Sequence, residues 1–223
     1  MELEFRTSQI EEIAIPLKSL SEVLAPNILK QDYGLLISEG VSARVPTLVI
    51  GRVIKKLTSE IPAIFLVPRS SQEVELGRVI TLSMVGNLIK SGKRALVCTE
   101  IINAGEHIRR FGGALRGLDV SFDLGAMLSC YDEGYYREQN CLSPDTRYYF
   151  GYRYPERVVE RLSYFDRTPR CSVYKQDWLN VDMWPDLLTE DIKNSHLSEK
   201  TAQVKADLDN LVKWITTELK TIS

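Results

Sequence analysis

The chain has 223 residues, of which 44% are hydrophobic and 26% are charged, and its formal net charge is −2. This composition is that of an ordinary globular protein, and a slightly acidic chain without a basic block gives no electrostatic basis for non-specific binding to nucleic acid. No apolar run approaches the roughly 20 residues that cross a bilayer, and residues 1–6 lack the basic and apolar regions of a signal peptide, so we expect a cytoplasmic protein without a membrane partner.

The first third of the chain predicts helices and strands in alternation. A capping-box pattern at residues 8–11 indicates the start of a first helix, and residues 33–38 are typical of a short strand. A turn at residues 39–44 then leads into an apolar helix at residues 46–57, whose leading proline suits a first helical turn. Residues 61–67 predict the next strand.

The middle of the chain continues this alternation. Residues 79–89 are apolar with a mixed period, which is compatible with either a strand or a helix. Residues 95–98 are typical of a buried strand, which stops at Glu100, and apolar residues at helical spacing predict a helix that begins near Glu106. Residues 120–128 predict a further strand.

Helices and strands in this order predict an α/β fold with a mostly parallel, twisted sheet flanked by helices. Ligands of such sheets bind outside the carboxyl ends of the strands. The turn at residues 39–44 and the segment at residues 100–107 both follow predicted strands. We therefore expect both segments to emerge at the same edge of the sheet.

The sequence changes character beyond Cys130, because every tyrosine except Tyr33 lies within residues 131–174. These aromatic side chains either pack a small subdomain or interface, or stack on a nucleobase. An apolar stripe near the C-terminus predicts a final helix that docks on the rest of the protein. The predicted parts are an α/β core at residues 1–130, a C-terminal hood subdomain at residues 131–190 and a docking helix at residues 191–223.

The segment at residues 100–107 predicts a strand, a glycine-bearing turn and a helix start. The backbone N–H groups of a first helical turn and the helix dipole together favour an anion such as phosphate. Glu100, at the carboxyl end of the strand, is placed to accept hydrogen bonds from sugar hydroxyls. This combination indicates a ligand that carries ribose 5-phosphate, and an ordinary strand-to-helix connection is the alternative.

Residues 97–107, with the sequence VCTEIINAGEH, resemble the phosphoribosyl pyrophosphate (PRPP) loop of type I phosphoribosyltransferases, most closely that of the hypoxanthine-guanine enzymes. Residues 35–44 look like the family's first strand and pyrophosphate loop. Residues 64–73 look like the second strand, which leads toward a mobile loop. The resemblance covers about residues 33–128 and implies the family's α/β fold.

The resemblance also implies roles for individual residues at the PRPP loop. The implied catalytic residues are Glu100 and Asn103. Glu100 matches the family's second acid, which binds the ribose 2′ and 3′ hydroxyls, and Asn103 stands where the purine enzymes carry an Asp beside the base. Gly105 matches the glycine of the tight turn, and neighbouring backbone N–H groups would hold the 5′-phosphate. The residues implied for phosphate and ribose are Thr99, Glu100, Ala104, Gly105, Glu106 and His107.

On the pyrophosphate side, the resemblance implies Gly40 and Arg44, with Arg69 approaching from the mobile loop. Solvent exposure is an equal alternative for the two arginines. The resemblance further implies PRPP or a nucleotide and a nucleobase-like molecule as ligands, Mg²⁺ as the cofactor, and a homodimer. No ligands for a metal are assigned, and the scattered cysteines together with only two histidines argue against zinc.

Several positions depart from the family pattern. Thr99 replaces the first acid, and Asn103 replaces a carboxylate with an amide that cannot take a proton. Ala104 and His107 replace two hydroxyl residues that donate to phosphate. The sequence therefore predicts a phosphoribosyltransferase-like protein that binds PRPP or a nucleotide and, if active, joins ribose 5-phosphate to a nitrogenous base. The alternative is a catalytically inactive nucleotide-binding, regulatory or interaction module.

Overall fold

A single sheet of five parallel strands forms the centre of the computed structural model, which describes residue 5 and residues 8–40, 43–66, 82–139, 142–153 and 195–222. The strands run in the order β2-β1-β3-β4-β5. Their bounds are β1 Tyr33–Ser38, β2 Ala63–Leu66, β3 Arg94–Ile102, β4 Phe122–Ser129 and β5 Tyr148–Arg153. The predicted α/β class is confirmed, and the sheet is entirely parallel.

Helices flank the sheet on both faces. Their bounds are α1 Ser8–Leu29, α2 Arg44–Thr58, α3 Leu82–Ser91, α4 Glu106–Arg116, α5 Glu133–Glu138 and α6 Ser195–Ile222. The apolar run whose period was ambiguous contributes to α3, and α2 begins two residues before the proline that suggested its start. None of the described helices combines the length and the apolar character that a membrane span needs.

Two apolar clusters hold the layers together, one on each face of the sheet. On one face, α1, α2 and α6 pack against inward residues such as Leu36 and Leu96. On the other face, α3, α4 and α5 contribute side chains that pack with Leu35 and Val97. Because both faces are covered, β3 and β4 are apolar runs that are buried along nearly their whole length.

The order of the strands creates a switch point between β1 and β3. The chain runs from β1 outward to β2, and then returns to β3 and continues outward through β4 and β5. The connections that follow β1 and β3 therefore diverge, which opens a crevice at their carboxyl ends. The sequence places its two candidate loops at this crevice.

Part of the segment predicted as a hood belongs to the sheet. Residues 148–153 pair with β4 as its fifth strand, and Tyr136 of α5 is fully buried in one of the two core clusters. Tyrosine and phenylalanine are good strand formers, which accounts for β5 despite its weak polar-apolar alternation. Residues 154–190 lie outside the described part of the chain, so the rest of the predicted hood stays a prediction.

The amino edge of the sheet carries a buried charge network around Asp123, which is 0% exposed. Arg94 Nε donates to Asp123 Oδ1 at 2.9 Å, and Arg147 Nη2 donates to Asp123 Oδ2 at 2.6 Å. The hydroxyl of Tyr33 donates to Oδ2 at 3.1 Å. The two arginines thus join the starts of β3, β4 and β5 through one carboxylate.

Candidate functional site

A cleft of about 590 Å³ opens at the switch point, between the carboxyl ends of β1 and β3. Glu39 and Gly40 line it on the side of β1. Thr99 and residues 101–106 line it on the other side, together with Ile108 and Arg110 of α4. A volume of this size is typical of sites for small molecules.

The helix α4 begins at the rim of this cleft. Its N-cap is Gly105, with φ 80°, in the left-handed region where a glycine is favoured, and no side chain caps the helix. The amides of a first helical turn have no acceptor within the helix, and the residues at this helix start, Gly105 and Glu106, line the cleft. This is the arrangement that the sequence predicts for a phosphate site.

Thr99 and Glu39 meet on the cleft wall from neighbouring strands. The Thr99 hydroxyl donates to Glu39 Oε2 at 3.0 Å, and the Glu39 amide donates to the carbonyl of Cys98 at 2.8 Å. The bond from the Glu39 amide extends the β1–β3 ladder one residue beyond β1. As a result, Glu39 and Thr99 are both attached to backbone that the sheet holds in place.

Glu100 occupies a different environment from its neighbours. Thr99 and Ile101 line the cleft, whereas Glu100 is 3% exposed and is not among the described lining residues. Its ribose-binding role stays a prediction, and this placement favours a buried role over contact with a ligand.

The turn before α4 contributes the most accessible part of the cleft. Asn103 and Ala104 are exposed, as is Glu106, whose carboxylate pairs with Arg110 Nη2 at 2.6 Å. The backbone of His107 lies in the first turn of α4, and its side chain lies outside the described part of the structure. The structure thus brings together the predicted positions 99 and 103–106.

Of the residues predicted to bind pyrophosphate, the structure places Gly40 at the cleft. Gly40 lines the cleft and has φ 138°, a conformation that a side chain disfavours. Arg44 begins α2, is 7% exposed and is not among the described lining residues, and burial lowers the pKa of its guanidinium. Arg69 lies outside the described residues.

The wall of the cleft at Ile102 is supported from behind by Tyr136. The Tyr136 hydroxyl donates to the Ile102 carbonyl at 3.0 Å and lies 3.2 Å from the hydroxyl of Ser129. Burial raises the pKa of Tyr136 to about 12. This tyrosine therefore stays protonated and fixes the end of β3 against the end of β4.

The charged residues that line the cleft limit how it could bind a metal ion. Among the described residues, the charged ones that line the cleft are Glu39, Glu106 and Arg110, and Arg110 pairs with Glu106. No three His, Cys, Asp or Glu side chains are grouped for metal binding among the residues that the structure describes. A Mg²⁺ ion at this site would therefore depend on ligand phosphates for much of its coordination.

Sequence reasoning did not single out Glu39 and Arg110. Glu39 is the first residue of the predicted turn after β1, and the parallel register aligns Ser38 with Cys98, which brings Glu39 alongside Thr99. That register follows from the three-dimensional pairing of β1 with β3. The spacing of Arg110 four residues after Glu106 is a sequence signal for an ion pair on α4.

Comparisons with protein-family models, with curated proteins and with solved structures found no match to this chain. The likeness to type I phosphoribosyltransferases therefore rests on the residue pattern at positions 97–107 and on a five-stranded parallel α/β sheet.

Proposed function

We propose that the cleft binds a phosphorylated pentose ligand, PRPP or a nucleotide, with its phosphate at the start of α4. The observation that carries this proposal is the position of the uncapped helix start within a cleft at the switch point. Phosphate groups bind at helix N-termini because the backbone donors and the dipole both favour negative charge. The pattern shared with the PRPP loop supports the pentose phosphate over other anions.

Two of the residues that line the cleft could also hold Mg²⁺. Glu39 and Glu106 are the described carboxylates that line the cleft. Mg²⁺ commonly binds through one or two carboxylates together with substrate phosphates. When bound with a diphosphate, the ion would neutralise charge on the departing pyrophosphate.

Binding without efficient transfer is the expected behaviour. Asn103 is exposed at the cleft and cannot accept a proton, and Glu100 is buried away from the lining. Ala104 supplies no hydroxyl donor. These features favour a nucleotide-binding or regulatory role over catalysis.

Transfer of ribose 5-phosphate to a nitrogenous base is the second candidate, and one observation favours it. The carboxylate of Glu39 lies 3.0 Å from the hydroxyl of Thr99, the position where the family has an acid. A carboxylate from the residue that follows β1 therefore lies close to the position of the acid that this sequence lacks. Its presence keeps an acidic group at the wall of the cleft.

One measurement tests the binding that both functions share, and a second measurement separates the two functions. Calorimetry with PRPP and Mg²⁺ is expected to detect binding at millimolar ligand or below, and no heat of binding at millimolar PRPP or nucleotide would contradict the proposal. Release of pyrophosphate from PRPP with a panel of bases tests transfer. We expect no release above the background without protein, and a base-dependent release would establish the second candidate instead.

A further inference from the structure

The cleft has an apolar wall on the side of β3. Ile101 lines it with a half-buried side chain, and Ile102 and Ile108 line it from positions that are almost fully buried. Phosphate and sugar hydroxyl groups interact with polar groups, whereas an aromatic ring gains free energy when one of its faces is removed from water. The wall therefore suits a part of the ligand that is neither phosphate nor pentose.

Asn103 adds a polar group close in sequence to this wall. It lies two residues after Ile101, is exposed and lines the cleft. Within the described part of the chain, no residue forms a hydrogen bond with its side-chain amide. A side-chain amide offers two N–H donors and a carbonyl acceptor, so one asparagine can both donate to and accept from the edge of a nucleobase.

The other polar side chains of the cleft differ from Asn103 in this respect. Among the described lining residues, Glu39 and Glu106 are carboxylates, which only accept when ionised, and Arg110 only donates. The Thr99 hydroxyl is already hydrogen-bonded within the protein. Asn103 is therefore the described lining residue whose side chain matches a donor and an acceptor that lie side by side on a ligand.

We infer that the ligand of this cleft is a nucleotide, with a face of its base on Ile101 and the polar edge of the base at Asn103. This inference rests on the proposed function and deepens it, because PRPP carries no aromatic ring to place on the apolar wall. A nucleobase combines an apolar face with donors and acceptors along its edge, which is the combination that the wall and the amide present. The phosphate of the nucleotide would lie at the start of α4, as in the proposed function.

The test compares ligands that share a pentose 5-phosphate and differ in the base. Calorimetry without Mg²⁺ measures the affinities for ribose 5-phosphate and for the 5′-monophosphates of adenosine, guanosine, cytidine and uridine. The variants are Asn103→Leu, which keeps the size of the side chain and removes its hydrogen bonds, and Ile101→Ala, which removes apolar surface. Asn210→Leu is the matched control, because Asn210 is exposed on α6 and is not among the residues that line the cleft. Thermal melts of every variant verify that it is folded.

At least one of the nucleotides is expected to bind the wild type about tenfold more tightly than ribose 5-phosphate, since the base adds apolar contact and hydrogen bonds. Asn103→Leu is expected to lower this ratio of affinities about fivefold, the effect of losing a neutral hydrogen bond, and Ile101→Ala is expected to lower it about threefold. Asn210→Leu is expected to leave the ratio unchanged. The affinity for ribose 5-phosphate itself is expected to change little in all three variants.

Three outcomes overturn the inference. If no nucleotide binds more tightly than ribose 5-phosphate, the proposed function stands and the assignment of a base to this cleft is wrong. If Asn103→Leu or Ile101→Ala keeps the wild-type ratio, the contact assigned to that residue is wrong. If the wild type binds none of the five ligands at millimolar concentration, the proposed function of the cleft fails and the inference fails with it.

Discussion

The two edges of the sheet use carboxylates in opposite ways. At the amino edge, Asp123 is fully buried and is surrounded by donors from Arg94, Arg147 and Tyr33. At the carboxyl edge, Glu39 is partly exposed in an open cleft and accepts from Thr99. The carboxylate enclosed by cations lies in the core, whereas Glu39 lines the cleft in which we propose that a ligand binds. The comparison predicts that changes at the amino edge alter unfolding and changes at the carboxyl edge alter binding.

The largest effect is expected from Asp123→Asn. It removes the buried charge that two arginines share. The cost is expected to be about 3 kcal/mol, the upper end for a lost hydrogen bond to a charged group, because Arg94 and Arg147 are 25% and 39% exposed and stay solvated. Urea unfolding followed by circular dichroism measures the change in free energy. The affinity of the folded variant for ribose 5-phosphate is expected to stay near that of the wild type, and a selective loss of binding would contradict the separation of the two edges.

Gly151→Ala tests whether β5 belongs to the core. A Cβ atom at this position would lie 2.3 Å from the carbonyl oxygen of Pro16 and 2.8 Å from that of Met127. Because both contacts are with backbone, β5 must move away from α1 and from β4, and overpacking of this kind costs about 1–3 kcal/mol. Unfolding of the variant in urea gives the value, and wild-type stability would show that residues 148–153 pack elsewhere.

Gly105→Ala tests the helix start at the cleft. Alanine in the left-handed conformation of Gly105 costs about 1–2 kcal/mol, so the turn is expected to shift and its amides with it. We expect about a tenfold loss of affinity for ribose 5-phosphate by calorimetry.

Gly113→Ala is the matched control in the same helix. Its added Cβ would approach only the Arg116 side chain, at 3.9 Å, and alanine in a helix interior is favoured over glycine by about 0.5–1 kcal/mol. The control is therefore expected to bind normally and to unfold at higher urea. Equal affinity of the two variants would place the phosphate away from α4.

Tyr136→Phe is expected to have the smallest effect at neutral pH. It removes the hydrogen bond to the Ile102 carbonyl and costs about 1 kcal/mol. Because burial raises the pKa of Tyr136 from 10.0 to about 12, its contribution is complete below pH 10 and is lost as the pH rises toward 12. Urea unfolding measures the free energy of unfolding across this pH range, and we expect it to fall less steeply for the variant than for the wild type. Equal decreases in both proteins would show that the Tyr136 hydroxyl does not stabilise the fold as a buried donor.

The sequence predicted those elements whose apolar period is clear. The α/β class followed from alternating strands and helices, and the helix after Gly105 lies as expected. The predicted end of β3 was wrong, because the strand continues through Glu100 to Ile102. Local pattern carries this information because strands covered on both faces are continuous apolar runs and amphipathic helices repeat every 3.6 residues.

Contacts that depend on strand register could not be predicted from the sequence. The alignment of β1 with β3 brings Glu39 to Thr99, and the pairing of β4 with β5 brings Arg147 to Asp123. Neither contact follows from spacing along the chain, because the partners lie 60 and 24 residues apart. The burial of Glu100 is of the same kind, since it depends on which side of β3 the cleft opens.

The ladder bond from the Glu39 amide to Cys98 has a consequence for ligand exchange. A side chain carried by a flexible loop loses conformational freedom when a ligand fixes it, and that ordering weakens association. The backbone of Glu39 is already ordered by the sheet, so a ligand bound in the proposed site would not have to order it. Occupancy and release at this end of the cleft should then proceed without rearrangement of β1.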